Sequence, residues 1–172
     1  MKRLSHLGVV VATLTVMSSS GPQPAHANSN IFTTHLSGRE VVPAVQTQAT
    51  GEAKLTVSSD GVTLAYRINV SNLENAVQAN LHLGMPGQNG EVIAVLYGPA
   101  PSGGGRTTGL LTAGTLTQAS LLGSLMGHPV SDLIAAIRSG NVYVEVATSG
   151  GPGITTQKAG NMPDGEIRGQ IR

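Results

Sequence analysis

Glu52-Ala53-Lys54-Leu55-Thr56-Val57-Ser58-Ser59-Asp60-Gly61-Val62-Thr63-Leu64-Ala65-Tyr66-Arg67-Ile68-Asn69-Val70 decides the fold class of this chain. Ala53, Leu55 and Val57 share one side of a two-residue period, and Leu64, Tyr66, Ile68 and Val70 answer with the same period. Between them, Ser59-Asp60-Gly61 supplies a hairpin turn, because Asp-Gly tolerates the backbone angles that reverse a chain tightly. Two strands of a β-meander follow, each with one face for a core and one for solvent.

The same grammar recurs in both directions. Phe32 to Ser37 alternates and opens the sheet, and Val41-Val42-Pro43-Ala44-Val45 reads as an extended edge or bulge segment broken by Pro43. Val77 to Leu83 and Glu91 to Leu96 are strands separated by Gly84-Met85-Pro86-Gly87-Gln88-Asn89-Gly90, a loop dense in turn residues. Val92 to Val95 is apolar throughout, as expected of a strand buried on both faces. Gly98 to Gly105 is an open Pro/Gly/Ser segment, and no Gly-Lys-Ser/Thr helix start follows to make it a phosphate cradle. Pro129-Val130-Ser131-Asp132 predicts a helix start capped by Ser131 or Asp132. Leu133, Ile134 and Ile137 fall on one face, and Gly140 stands at the stop. Asn141 to Thr148 returns as a strand. The final stretch, Asp164 to Arg172, alternates Glu166, Arg168 and Gln170 with Ile167, Gly169 and Ile171, and a chain ending on such a strand is expected to need it to complete the sheet. The expected class is all-β, an antiparallel sandwich or barrel with one short helical insertion near residues 118–139.

The N-terminus has the grammar of export. Met1-Lys2-Arg3 is positive, Leu7 to Met17 is mostly apolar, and Ala25-His26-Ala27 is a small-residue cleavage site. Residues 1–27 are therefore expected to be a secretory signal peptide and 28–172 a single β domain, secreted or periplasmic, with no stable membrane span after cleavage. Without Lys2 and Arg3, eight basic residues face nine acidic ones. That near-neutral balance has no basic cluster for nucleic acid. There is no cysteine for disulfides or thiol chemistry, and Phe32, Tyr66, Tyr97 and Tyr143 are the only aromatics, so the core rests on Val, Leu, Ile and Ala.

Four segments together resemble the CHRD (chordin-type) domain family. They are Phe32 to Gly38 with Val42-Pro43-Ala44-Val45-x-Thr47-x-Ala49-Thr50-Gly51; Val77 to Gly90; Leu133 to Gly140 with Val142-Tyr143-Val144; and Gly165 to Ile171. The resemblance implies a CHRD-like β domain acting as a binding or structural module. In the animal protein that names the family such domains accompany growth-factor binding, a partner that does not carry over to this small Cys-free chain. Departures fall on histidines: Asn80 and Ala147 stand where the family typically has histidine, leaving His82 alone of three.

Candidate chemistry is sparse. A metal-dependent redox protein of superoxide-dismutase-like shape is the alternative function, but it needs several imidazoles. Only His35, His82 and His128 follow the signal. His35 is expected to face solvent and His128 to sit in a turn, so His82 is a metal ligand only if that alternative holds. No Gly-x-Ser-x-Gly elbow and no paired carboxylates appear. The expectation is thus an exported non-enzymatic module without a cofactor, whose partner is a protein or glycan of unknown identity. Its candidate binding residues are Asn80 and His82 beside the Met85–Gly90 loop, then Glu145, Glu166 and Arg168. Glu145 is read as a solvent-facing strand residue or as the ion-pair partner of Arg168. Glu166 and Arg168 are read as an exposed pair that sets register and protects a sheet edge. A structural protein that self-associates through such an edge is a third expectation.

Overall fold

The computed structural model describes residues 30–172; the signal-peptide assignment lies outside them. The antiparallel strands are β1 (Ile31–Ser37), β2 (Thr50–Val57), β3 (Leu64–Glu74), β4 (Ala76–Leu83), β5 (Glu91–Tyr97), β6 (Arg106–Leu116), β7 (Val142–Thr148) and β8 (Ile167–Gln170). They form one sheet in the order β5-β4-β7-β8-β1-β2-β3-β6. The sheet curls until β5 lies against β6, giving a nearly closed barrel. Helix α1 (Val130–Arg138) buries Val130, Leu133, Ile134 and Ile137 into the same core cluster as the strands.

The meander pairs as its periodicity predicts. Leu55 sits opposite Tyr66 and Ala53 opposite Ile68, with Ala53, Leu55, Val57, Leu64, Ile68 and Val70 buried. Gly61 adopts φ +73° in the turn, and Asp60 accepts hydrogen bonds from Ser58 and from the Val62 N–H.

Several expectations need correction. Val41 to Val45 is not a strand: the chain leaves the sheet through a 3-10 turn at Gly38–Glu40, and Val45 N–H donates back to Gly38 O at 2.8 Å. β6 has no counterpart in the sequence-based expectation, because its Thr- and Gly-rich run carries no apolar alternation; only Leu116 is fully buried on this sheet margin. The helical insertion is as expected: α1 is its main element, preceded by two short 3-10 turns, Gln118–Ser120 and Gly123–Leu125. Pro129 occupies the N-cap, so Ser131 and Asp132 do not cap, and Asp132 pairs with His128 at 2.8 Å instead. Val92 and Val95 are only half-buried. Gly140 does end the helix, at φ +71°.

The largest correction concerns β8. It lies in the middle of the sheet, between β7 and β1, so Glu166 and Arg168 protect no edge. The actual margin at β5 is already engaged: Ile93 O accepts from Leu122 N–H, and Leu96 O accepts from the Tyr66 and Thr112 hydroxyls. Self-association through a bare β5 edge therefore meets carbonyls that are taken.

Candidate functional site

Strands β7 and β8 bury both faces almost throughout, and β4 half-buries its outer one. On the inner face Leu81, Val144, Val146 and Ile167 join the core. On the outer face the cross-strand register builds two polar rows: Asn80 beside Glu145 beside Arg168, and His82 beside Tyr143 beside Gln170. Ala147 shares this parity, so positions 80, 82 and 147 fall on one face.

Glu145, Glu166 and Arg168, expected at the surface, are buried, at 8%, 1% and 1% exposure. Asn80 and His82 are half-buried. Alternating polar residues mislead here because loops cover the outer face. Arg168 holds one of these covers. Its guanidinium donates to Asn89 Oδ1 (3.1 Å), Gln88 O (2.8 Å) and Met85 O (3.5 Å), and lies 3.5 Å over the Tyr143 ring. Cation–π contact and charge-assisted bonds to carbonyl dipoles replace the water the cation gave up. Among the described residues no carboxylate forms an ion pair with it, so the Glu145–Arg168 pairing is absent.

The loop from Gly84 to Gly90 is tied at every turn. Gly90 N–H donates to the Tyr143 hydroxyl at 3.0 Å, and Gln170 Nε2 donates to Gly84 O at 3.0 Å and to Gly140 O at 2.7 Å. His82 Nδ1 lies 3.0 Å from Gly90 O, an acceptor, so Nδ1 carries the hydrogen; its ring stacks on Tyr143 with centroids 4.8 Å apart. Asn89 Nδ2 donates to Val42 O at 2.8 Å, joining this loop to the Val41–Gln48 segment. Three of the sequence segments singled out by their motifs thus meet at Asn89. Met85 to Asn89 remain exposed, with Met85 at 57%.

Glu166 performs the same service for the second cover. Its oxygens accept from the Thr47 hydroxyl (2.6 Å), the Thr148 hydroxyl (2.6 Å) and Gly160 N–H (2.7 Å). Three donors satisfy a buried carboxylate without a cation.

Glu145 is different. Burial pushes its carboxyl up to about 7; Arg168 opposes this and Asp164 adds to it. Its Oε2 has no hydrogen-bond partner, nor does Oδ1 of Asn80, its cross-strand neighbour. A protonated Glu145 has a hydrogen to give, and Asn80 Oδ1 beside it lacks a donor. Gly165, at φ +125°, leaves room for the carboxyl, since a Cβ there would collide with it. Burial lowers the His82 imidazole below its ordinary range, with Arg168 adding to the effect, and burial raises the Tyr143 hydroxyl. Among the described residues no group of three or more His, Cys, Asp or Glu side chains comes together to hold a metal. His35 and His128 are exposed, as expected.

The CHRD domain model matches residues 32–155, most of the chain. The chain belongs to the CHRD domain family. Domains of this family are generally non-catalytic modules. No curated protein and no solved structure matches it. The match takes in β1, the Val41–Gln48 segment, the Met85–Gly90 loop and β7; the closing strand that clamps them lies beyond it.

Proposed function

We propose that this CHRD domain is an exported, non-enzymatic module that binds a protein or glycan partner through the surface containing the Met85–Asn89 loop. One observation carries this: a buried cation spends its hydrogen bonds on the inner side of an exposed loop. Holding a loop in one conformation before a partner arrives removes the ordering cost from binding, and rigidly mounted loops are where such domains meet other molecules. Asn80, His82, Glu145, Glu166 and Arg168 then act as supports beneath the surface rather than as contacts. The N-terminal charge, apolar run and Ala25-His26-Ala27 site support export to the periplasm or exterior.

The test is proximity labelling from the full chain expressed in its own host, compared with Met85→Glu. A partner enriched by the unaltered protein and lost with Met85→Glu, at unchanged melting temperature, is the expected result. Identical labelling from both proteins overturns the loop as the contact surface. N-terminal sequencing of the released protein is expected to begin at Asn28. Stoichiometric copper or zinc retained after desalting and lost with His82→Ala would replace the module with the metal-dependent redox alternative.

A further inference from the structure

A second surface lies around the other buried ion. The bulge in β3 between Val70 and Leu73 puts Asn72 at φ +54°, exposed above the sheet. Bulges re-aim side chains, and asparagine takes the left-handed backbone more readily than most residues. Asn72 lines a cavity of about 480 Å³ with Gln46, Gln48, Glu74, Arg106 and Glu166. That volume lies in the range of small-molecule sites.

The chemistry of the lining selects among ligands. Glu74 and Arg106 neutralise one another at 2.7 Å, and both Glu166 oxygens are already bonded to Thr47, Thr148 and Gly160. Glu166 keeps its charge without a cation beside it, but its oxygens are spent on these buried donors, so no free carboxylate or cation is left in the lining to coordinate an ion. The remaining wall, Thr47, Ala159 and Gly160, is too small to hold an apolar ligand. The side-chain carboxamides of Gln46, Gln48 and Asn72 have no hydrogen-bond partner among the described residues. Each offers a donor and an acceptor side by side, the complement of neighbouring hydroxyl groups.

The walls are fixed before any ligand arrives. Glu166 ties Thr47 to Gly160, while the Asn75 side chain donates to Gly160 O and accepts from Gly105 N–H, both at 3.0 Å. Only the exposed side chains of Gln46, Gln48 and Asn72 are then left to lose rotamer freedom on binding.

We infer that this carboxamide-lined cavity is a binding site for a neutral oligosaccharide. The inference rests on the domain being a binding module and names a ligand class and a place for it, apart from the Met85–Asn89 loop. With no aromatic ring in the lining to stack on a sugar, affinity comes from hydrogen bonds alone and is weak.

The experiment is NMR titration of the ¹⁵N-labelled full chain with cellohexaose, maltohexaose and chitohexaose. Saturable shifts of the Gln46, Gln48 and Asn72 side-chain amides with at least one sugar are expected. Gln48→Ala and Asn72→Gly should each weaken that binding about fivefold, the share of one neutral hydrogen bond. Glycine suits the positive φ at residue 72, so the fold is retained. Absence of saturable shifts with all three sugars overturns the inference, as does binding unchanged in both variants. Shifts confined to Met85–Asn89 also overturn it while leaving the module itself standing.

Discussion

β2–β3 and β7–β8 are antiparallel pairs with the same alternation of apolar and polar residues, and their polar faces meet opposite fates. On β2 and β3, Glu52, Lys54 and Arg67 lie exposed, and Lys54 even sits directly opposite Arg67. Water screens two like charges well enough for the pairing to persist. On β7 and β8, Glu145 and Arg168 are also opposite one another, yet both are buried under the Met85–Gly90 loop and its neighbours. The strands differ little in local pattern. What differs is the covering, which is built by segments distant in sequence.

Charge removal should separate the two pairs most sharply. Arg168→Ala strips Met85 O, Gln88 O and Asn89 Oδ1 of their donor and leaves a void against Tyr143. It is expected to cost about 3–5 kcal/mol, while Arg67→Ala changes stability by less than about 0.5 kcal/mol. Chemical denaturation of both variants decides it; a loss below about 1 kcal/mol for Arg168→Ala would mean that its guanidinium is solvated. Arg168→Lys should recover only part of the loss, because an ammonium cannot present the guanidinium fork.

Glu166→Ala ranks next, at about 2–4 kcal/mol, since three donors lose a charged acceptor in a buried place. Glu52→Ala on the exposed pair is the matched control, expected to be nearly neutral. If the two variants melt together, the second cover is not held through Glu166.

These contrasts also mark how far the sequence can be read. The inner faces were legible: the periods of Ala53, Leu55 and Val57 and of Val142, Val144 and Val146 name core residues that are in fact buried. The polar outer face of β7–β8 was not, because alternation reports two environments without saying whether the polar one is water or a loop. Glu145 therefore read as solvent-facing, and Glu166 with Arg168 as an edge pair. One local signal was available: Gly165 and Gly169 flank the ions, and the second packs so closely on His35 and Thr34 that a Cβ would meet backbone. Glycines at such spacing mark a crowded central strand better than an edge. β6 escaped because Thr and Gly at the sheet margin give no apolar period. The Met85–Gly90 loop was picked out from its turn residues, its place beside Asn80 and His82 and the resemblance of its segment, but nothing in its sequence announced the arginine beneath it.

Titration sharpens the comparison further. The Glu145 carboxyl is raised from 4.5 to about 7 by burial, so the folded state holds a proton that the unfolded chain releases between those values. Its contribution to stability is fully present below pH 4.5 and is lost as pH rises through about 7. The loss is on the order of 2 kcal/mol, discounted for partial solvent access. Glu145→Gln keeps the shape and removes the titration. It should match the original protein near pH 4.5 and melt about 5 °C higher at pH 8. Parallel pH profiles for the two proteins would place the Glu145 carboxylate in water.

The smallest effect belongs to His82, whose sign is the reverse. Burial lowers its imidazole below 6.5, so the unfolded chain takes up a proton that the folded state refuses. Its contribution is present above pH 6.5 and is lost as pH falls below that value. His82→Asn places an amide nitrogen near the position of Nδ1, within reach of Gly90 O, but gives up the stack on Tyr143. A cost of about 1 kcal/mol at pH 8 is expected, shrinking as the solution is acidified, because the variant no longer has a group to protonate. Melting curves at pH 8, 6.5 and 5 measure this directly. Convergence of the two proteins toward acid pH fits a neutral His82 donating to the loop. A gap that widens toward acid pH would instead show that His82 is charged in the fold, and with it the outer face of β4 would belong with the wet face of β2–β3.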